Sequence, residues 1–178
     1  MNAVDVVLAS ELMPGTYLCL ETRTLLGWLV RLFTRSPFDH AALVVGPGEI
    51  IQATTKGVSR GPLSQFRGCL AVANSADRVW SSDRELIVAK ALTYSGYEYA
   101  FPAIVVIGLR KLGFKWRWLL RASASADRDA VFCSELIALA GQAGHHDDWL
   151  CGEKSAATVT PAELAGRAPY MRSVVWDG

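Results

Sequence analysis

The chain has 178 residues, 51% of them hydrophobic and 20% charged, a composition typical of one globular domain. The formal net charge of +1 argues against a dedicated nucleic-acid binder, since neutralising phosphates requires an excess of lysine and arginine. The opening stretch MNAVDVVLASELMPG lacks the basic region of a signal peptide. No apolar run of about 18 residues is free of charges. We therefore expect a cytoplasmic protein without a membrane-spanning helix.

The first half of the chain predicts strands around one helix. Apolar residues at helical spacing over 24–35 predict the helix. The strands are predicted over 16–21, 40–45, 49–55 and 69–75.

The second half predicts mainly helices. Ser82 and Glu85 form a candidate capping box for a helix over 83–94. Thr160 and Glu163 form another, with Pro161 at the first helical position. The remaining elements are a turn and an extended piece in SGYEYAF, an ambiguous apolar-basic helix over 102–121, a helix in AVFCSELIALAGQAG stopped by Gly141 or Gly144, and a strand over 170–176. Strands in the middle with helices before and after favour an α+β fold, with an antiparallel sheet packed against helices.

The four cysteines are widely spaced and include no CxxC pair. Without an export signal, Cys19, Cys69, Cys133 and Cys151 are interpreted as thiols rather than as a disulfide framework.

His40 and Cys133 are the candidate reactive residues. His40 begins an apolar strand, where it is either a half-buried structural histidine or one half of a catalytic pair. Cys133 opens an apolar helix, whose N-terminus favours a thiolate and offers backbone N–H groups. Free cysteines are also among the most buried residues, so a structural role for Cys133 stays open.

Gln52 is a lone polar residue inside the strand EIIQATT. A two-residue Pro47-Gly48 loop would pair Gln52 with Leu43 and place it on the face opposite His40. A Pro-Gly turn fits a two-residue hairpin badly, so we predict a three-residue loop with a bulge. That register pairs Gln52 with Ala42 and returns it to the His40 face.

These residues carry a family resemblance. FDHAALVVG and GEIIQA, followed much later by VFCSELIALA, resemble the circularly permuted branch of the NlpC/P60 papain-like superfamily. In that branch the histidine strand precedes the cysteine helix. MPGTYLCLE, GVSRGPLSQF and CSELI…TPAEL extend the resemblance from Met13 to about Ala165. It implies one domain over 1–178 with a permuted papain-like fold, in which 102–126 is a possible lid or insertion.

The resemblance also implies roles for the site residues. Cys133 would be the nucleophile, its backbone N–H an oxyanion donor, His40 the base, and Gln52 the residue that orients the imidazole. The related lecithin:retinol acyltransferase group carries an asparagine before its cysteine and a histidine as third member. Phe132 and Gln52 stand at those places here, which favours the bacterial amidase-like branch.

The sequence therefore predicts a bacterial or phage-encoded cysteine hydrolase that cleaves an amide, such as a peptidoglycan peptide, without metal or cofactor. One alternative is a thioesterase or acyltransferase acting on lipid-linked substrates. The other is a catalytically idle structural or binding module, for instance a virion component.

Two further stretches contain residue types that are common in functional sites. GHHDDWLC (144–151) offers ligand-type side chains, but neighbouring residues point in different directions, and we predict no metal site. The basic aromatic stretch 109–121 is interpreted first as a surface helix, with peripheral contact to a membrane or cell-wall polymer as the alternative.

Overall fold

The computed structural model describes residues 6–74, 79, 81–100, 129–150, 155–167 and 171–177. Within these ranges the chain is α+β, as predicted, with a mostly antiparallel sheet packed against helices. The predicted elements at 102–121, the possible lid 102–126, the basic stretch 109–121 and Cys151 lie outside the described residues.

Short aliphatic runs form the strands, and longer runs with helical spacing form the helices. The strands are β1 (Val6–Leu8), β2 (Tyr17–Leu20), β3 (His40–Gly46), β4 (Glu49–Thr54), β5 (Gly57–Pro62), β6 (Ala71–Asn74), β7 (Glu98–Tyr99), β8 (Ala130–Val131) and β9 (Met171–Val175). The helices are α1 (Leu25–Thr34), α2 (Ser81–Leu92), α3 (Cys133–Ala143) and α4 (Pro161–Arg167), with 3₁₀ turns at Ala9–Glu11, Leu63–Phe66, Asp147–Leu150 and Ala156–Thr158.

Seven strands form the main sheet in the order β1-β9-β6-β2-β3-β4-β5. Its pairs are antiparallel except for β1 with β9, which run parallel. β7 and β8 form a separate parallel pair directly before α3. The second strand of this pair, β8, ends two residues before Cys133, the first residue of α3.

Alternation along the central strands divides the core between the two faces of the sheet. Cys19, Leu43 and Ile51 belong to one apolar cluster, which includes the buried side of α3. Leu18, Val44, Ile50 and Phe66 belong to the other. The cysteine helix is thus held against β3 and β4 by apolar contacts rather than by a covalent link.

The β3–β4 hairpin has an irregular register. Ala42 pairs with Gln52 and Val44 with Ile50, but Gly46 pairs with Glu49, so the register shifts by one residue at Val45. The predicted pairing of Ala42 with Gln52 and the predicted bulge are confirmed. The predicted three-residue loop is wrong. The turn is Pro47-Gly48, with Gly48 at φ 66°, and the extra residue sits in β3 just before the turn.

The remaining local predictions mostly hold. The Thr160–Glu163 capping box is present: the Thr160 N–H donates to the Glu163 carboxylate at 2.8 Å, and the Glu163 N–H donates to Thr160 Oγ1 at 3.3 Å. The Ser82–Glu85 box is wrong, because α2 begins at Ser81 and Ser82 lies inside its first turn, where its hydroxyl contacts Asp83. Cys19, Cys69 and Cys133 are thiols that take part in no disulfide, as expected.

β1 and β5 are strands that the sequence did not predict. β5 contains two glycines and a proline and lacks apolar alternation, and it is held at the sheet edge by backbone pairing with β4. Among the described residues, no helix is long and apolar enough to cross a membrane.

Candidate active site

His40 and Gln52 meet across the β3–β4 hairpin. Because Gln52 pairs with Ala42, two residues beyond His40, both side chains lie on the same side of the hairpin. His40 Nε2 lies 2.8 Å from Gln52 Oε1, and Phe66 packs against the imidazole with ring centroids 5.8 Å apart. An amide oxygen accepts only, so Nε2 carries the proton and Nδ1 is left as the acceptor.

Cys133 is the first residue of α3 and is buried. The backbone N–H of Phe132, before the helix, donates to the Glu135 carboxylate at 3.4 Å. The Ser134 hydroxyl donates to the Val159 carbonyl at 2.8 Å, which ties the first turn to the loop before α4. A residue at this position has no intrahelical acceptor for its own N–H, so Cys133 offers a thiol and a backbone donor at one point.

The third relation joins these two elements, because Cys133 lies close enough to His40 to act on the pKa of the imidazole. Burial lowers the pKa of His40. The hydrogen bond and charge of Cys133, the hydrogen bond of Gln52 and the charge of Asp39 outweigh burial and raise the pKa above its ordinary value of 6.5. The structure therefore brings Cys133, His40 and Gln52 together, with a hydrogen-bond contact between the imidazole and the amide of Gln52.

Gln65 extends this chain of contacts and was missed by the sequence reasoning. The Gln52 side-chain N–H donates to Gln65 Oε1 at 3.3 Å. The NH2 group of the Gln52 amide makes this contact, and the oxygen of the same amide faces His40 Nε2. The contact with Gln65 therefore fixes the orientation of the amide. Gln65 lies in the stretch GVSRGPLSQF, which carries part of the family resemblance, but no local pattern marks it as a partner of Gln52.

Asp39 is a second residue that the sequence reasoning missed. Its buried carboxylate accepts from the Thr22 N–H at 2.8 Å and from Arg31 Nη1 at 3.0 Å, and it also bonds the Thr22 hydroxyl. A Cβ on Gly27 of α1 would collide with Asp39 Oδ2, so glycine is required for this approach. Asp39 thus anchors α1 beside His40, and its charge supports the imidazolium.

Two more ionisable groups lie near the thiol. Burial, and next the charge of Cys133, raise the pKa of Tyr99 on β7, which keeps its hydroxyl protonated. Burial raises the pKa of Glu135 to about 7, although the hydrogen bond from Phe132 opposes this shift. Glu135 lies in the first turn of α3, two residues after Cys133, and its carboxyl group is partly protonated at neutral pH.

Residues 144–150, the described part of the 144–151 stretch, do not join this site. His146 stacks on Trp149 with ring centroids 5.5 Å apart, and its Nδ1 lies 3.6 Å from Asp148. His145 is exposed and has φ 61°. Across the described ranges, no three side chains of His, Cys, Asp or Glu are grouped so as to hold a metal ion, and we derive no step through one.

The first prediction concerns thiol reactivity. At about pH 6, iodoacetamide should label Cys133 before Cys69, because Cys133 opens α3 next to the candidate base His40. Burial, by contrast, raises the pKa of Cys69. His40→Ala should slow Cys133 labelling by about tenfold or more, and Gln52→Ala should act in the same direction. Peptide mapping by mass spectrometry measures each rate.

The control is the Cys69 rate, which should be the same in all variants, with unchanged thermal unfolding as the check on folding. An unchanged Cys133 rate in His40→Ala, or faster labelling of Cys69 or Cys151 than of Cys133, would contradict the pair.

The second prediction assigns Gln65 a positioning role. Gln65→Ala should slow Cys133 labelling near neutral pH by about fivefold, the equivalent of one hydrogen bond of roughly 1 kcal/mol. It should also shift the pH profile of labelling, because Gln52 loses the contact that fixes its amide orientation. Gln65→Glu keeps an acceptor for Gln52 and should retain most of the rate.

Ser64→Ala, at the neighbouring exposed residue, is the matched control and should resemble wild type. A Gln65→Ala profile that overlays the Ser64→Ala profile, or a Gln65→Glu loss as large as that of Gln65→Ala, would remove Gln65 from the site.

Comparison with known proteins gives the fold a likeness but not a family. No family model matches the chain, and no curated protein matches it. A similar solved structure is the crystal structure of metalloprotein yiiX from Escherichia coli O157:H7, DUF1105, at 16% identity and a TM-score of 0.60. The match covers 93% of this chain and 98% of that one. At this identity, the likeness concerns the course of the backbone alone.

Proposed function

We propose that this chain is a cysteine hydrolase that cleaves an amide bond through an acyl-enzyme on Cys133. The observation that carries the proposal is the imidazole of His40, which contacts Gln52 at 2.8 Å and lies close enough to Cys133 for that residue to raise its pKa. A thiol, a base and an orienting amide in this order form the functional unit of papain-like catalysis. On this proposal the fold is a permuted papain-like one, with the histidine strand before the cysteine helix.

The proposed reaction begins with proton transfer from Cys133 Sγ to His40 Nδ1. The thiolate attacks the amide carbonyl carbon, and the carbonyl oxygen takes the displaced electron pair. The backbone N–H of Cys133 donates to this oxyanion. When the tetrahedral intermediate collapses, the C–N bond breaks and the leaving amine takes the proton from His40.

A water molecule completes the reaction. His40 removes a proton from the water as it attacks the thioester carbonyl. The C–S bond then breaks, His40 returns this proton to the departing thiolate, and the released carboxylic acid loses its own proton to solvent. Gln52 holds the Nε2 proton throughout, so that Nδ1 stays available for both proton transfers. The raised pKa of His40 suits this role, because the imidazolium is then stable beside the thiolate.

The third prediction is the substrate test. Wild-type protein should release amine from a peptidoglycan-peptide amide, and intact-protein mass spectrometry should show an acyl adduct on Cys133. Cys133→Ala should abolish both signals, and His40→Ala should lower the rate by about two to four orders of magnitude, the usual share of general acid–base catalysis.

Cys69→Ser is the matched control and should retain the activity, because Cys69 lies outside the contacts of His40. Acyl thioesters form the second arm of the panel. Turnover of thioesters with no amide cleavage would replace the amidase by a thioesterase or acyltransferase. No adduct in either arm, with the fold intact, would favour the idle binding module.

A further inference from the structure

The outer face of α1 is apolar and exposed. Leu25 is 79% exposed, Trp28 53%, Leu32 56% and Leu29 36%. These four positions have the spacing i, i+3, i+4 and i+7, so they lie on one stripe along the helix. An ordinary surface helix turns such a stripe toward the core, whereas here it faces outward. We call these four residues the α1 stripe.

The orientation of α1 is fixed by polar contacts on its other side. Thr24 caps the helix by accepting from the Gly27 N–H at 3.0 Å. Gly27 lies directly against the Asp39 carboxylate, and Arg31 binds that carboxylate at 3.0 Å. Rotating the stripe inward would break these contacts and would bury Arg31, so the exposed stripe is a fixed feature of this fold.

Positive charge borders the α1 stripe at both ends. Arg23 precedes the helix and Arg35 follows it, and both are exposed. The sequence of α1 contains no acidic residue. Leu70, 51% exposed, lies beside the segment that precedes the helix, where its carbonyl accepts from the Glu21 N–H at 2.9 Å. The charge of Arg23 reaches neighbouring Cys69 and acts to lower its pKa, although burial raises the pKa overall.

We propose that the α1 stripe docks on the surface of an anionic lipid bilayer. A short helix with leucines and a tryptophan on one face and arginines at its ends fits the membrane interface. There the apolar face enters the acyl boundary, and the arginines meet anionic headgroups. Trp28 suits this position because indole favours the boundary between hydrocarbon and headgroups.

Charge argues against a second copy as the occupant. If two α1 helices packed stripe to stripe in antiparallel fashion, Arg23 of each would face Arg35 of the other. In a parallel arrangement each arginine would face its own equivalent. Both pairings place like charges together beside an apolar contact, whereas an anionic bilayer complements both arginines.

Docking through α1 would bring the candidate site close to the lipid. The inner side of α1 contacts Asp39, the residue before His40, and a helix with its side chains is about 10–12 Å across. Binding of the α1 stripe to a bilayer does not depend on chemistry at Cys133. The docking proposal and the proposed hydrolase function can therefore be tested, and refuted, independently of each other. Cys133→Ala, inactive under the proposed function, should bind vesicles as wild type does.

The experiment is vesicle flotation of the full chain. The vesicles are either pure phosphatidylcholine or two parts phosphatidylcholine to one part phosphatidylglycerol. Wild type should float with the anionic vesicles at low salt and should bind neutral ones at least about fivefold more weakly. Trp28→Ser with Leu32→Ser should weaken anionic binding by about tenfold or more. Arg23→Gln and Arg35→Asn should each weaken it by about fivefold, asparagine being chosen because residue 35 has φ 53°.

The matched controls are Leu86→Ser, an exposed leucine on α2, and Lys56→Gln, an exposed lysine in the β4–β5 turn, and both should float like wild type. Failure of the wild type to float would overturn the proposal. So would equal losses in the α1 and control variants, or a dimer in size-exclusion chromatography that Leu32→Ser dissociates.

Discussion

The β-bulge at Val45 is the constraint on which the candidate site depends. Side chains alternate across a sheet, so a shift of one residue in the β3–β4 register moves Gln52 to the opposite face. With the bulge, Gln52 pairs with Ala42 and its amide oxygen lies 2.8 Å from His40 Nε2. A regular hairpin around the same Pro47-Gly48 turn would leave His40 without this partner. One inserted residue thus decides whether the imidazole is oriented.

The imidazole is held by a balance between burial and polar contacts. Burial disfavours the imidazolium, while Cys133, Gln52 and Asp39 stabilise it, and the outcome is a raised pKa. Asp39 has a double role, because its carboxylate also fixes α1 through Thr22 and Arg31. The helix that carries the exposed apolar stripe is therefore built on the residue next to the candidate base. Asp39 thus stabilises both the helix that carries the α1 stripe and the imidazolium of the candidate site.

Sequence reasoning located the three central residues because each breaks a local pattern. His40 and Gln52 are polar residues in apolar strands, and Cys133 opens a helix rather than lying within one. Turn chemistry predicted the register of the hairpin correctly. The predicted loop length was wrong, because the register shift comes from a bulge inside β3 and not from a longer loop. The capping box of α4 followed from local hydrogen bonding alone.

Other features depend on long-range contacts that no local pattern encodes. Gln65 lies in a polar 3₁₀ segment, and only folding brings it to Gln52. In the sequence, Asp39 has the features of a surface aspartate. In the structure its carboxylate is buried and accepts hydrogen bonds from Thr22 and Arg31. The composition of β5 is not typical of a strand. The segment forms a strand because its backbone pairs with the free edge of β4. The outward orientation of α1 was likewise hidden, since apolar residues at helical spacing predict a helix but not the side on which it packs.

The central claim is that Cys133 and His40 form one interacting pair, and the titration of His40 by NMR tests it most directly. With only three histidines in the chain, the His40 ring signals are assignable through His40→Ala. In wild type the pKa of His40 should lie above 6.5, so the ring loses its proton only as the pH rises past that value. In Cys133→Ala the interactions of Cys133 that raise the pKa are gone while burial remains, so the pKa should fall. A His40 pKa that is the same in wild type and Cys133→Ala would contradict the account.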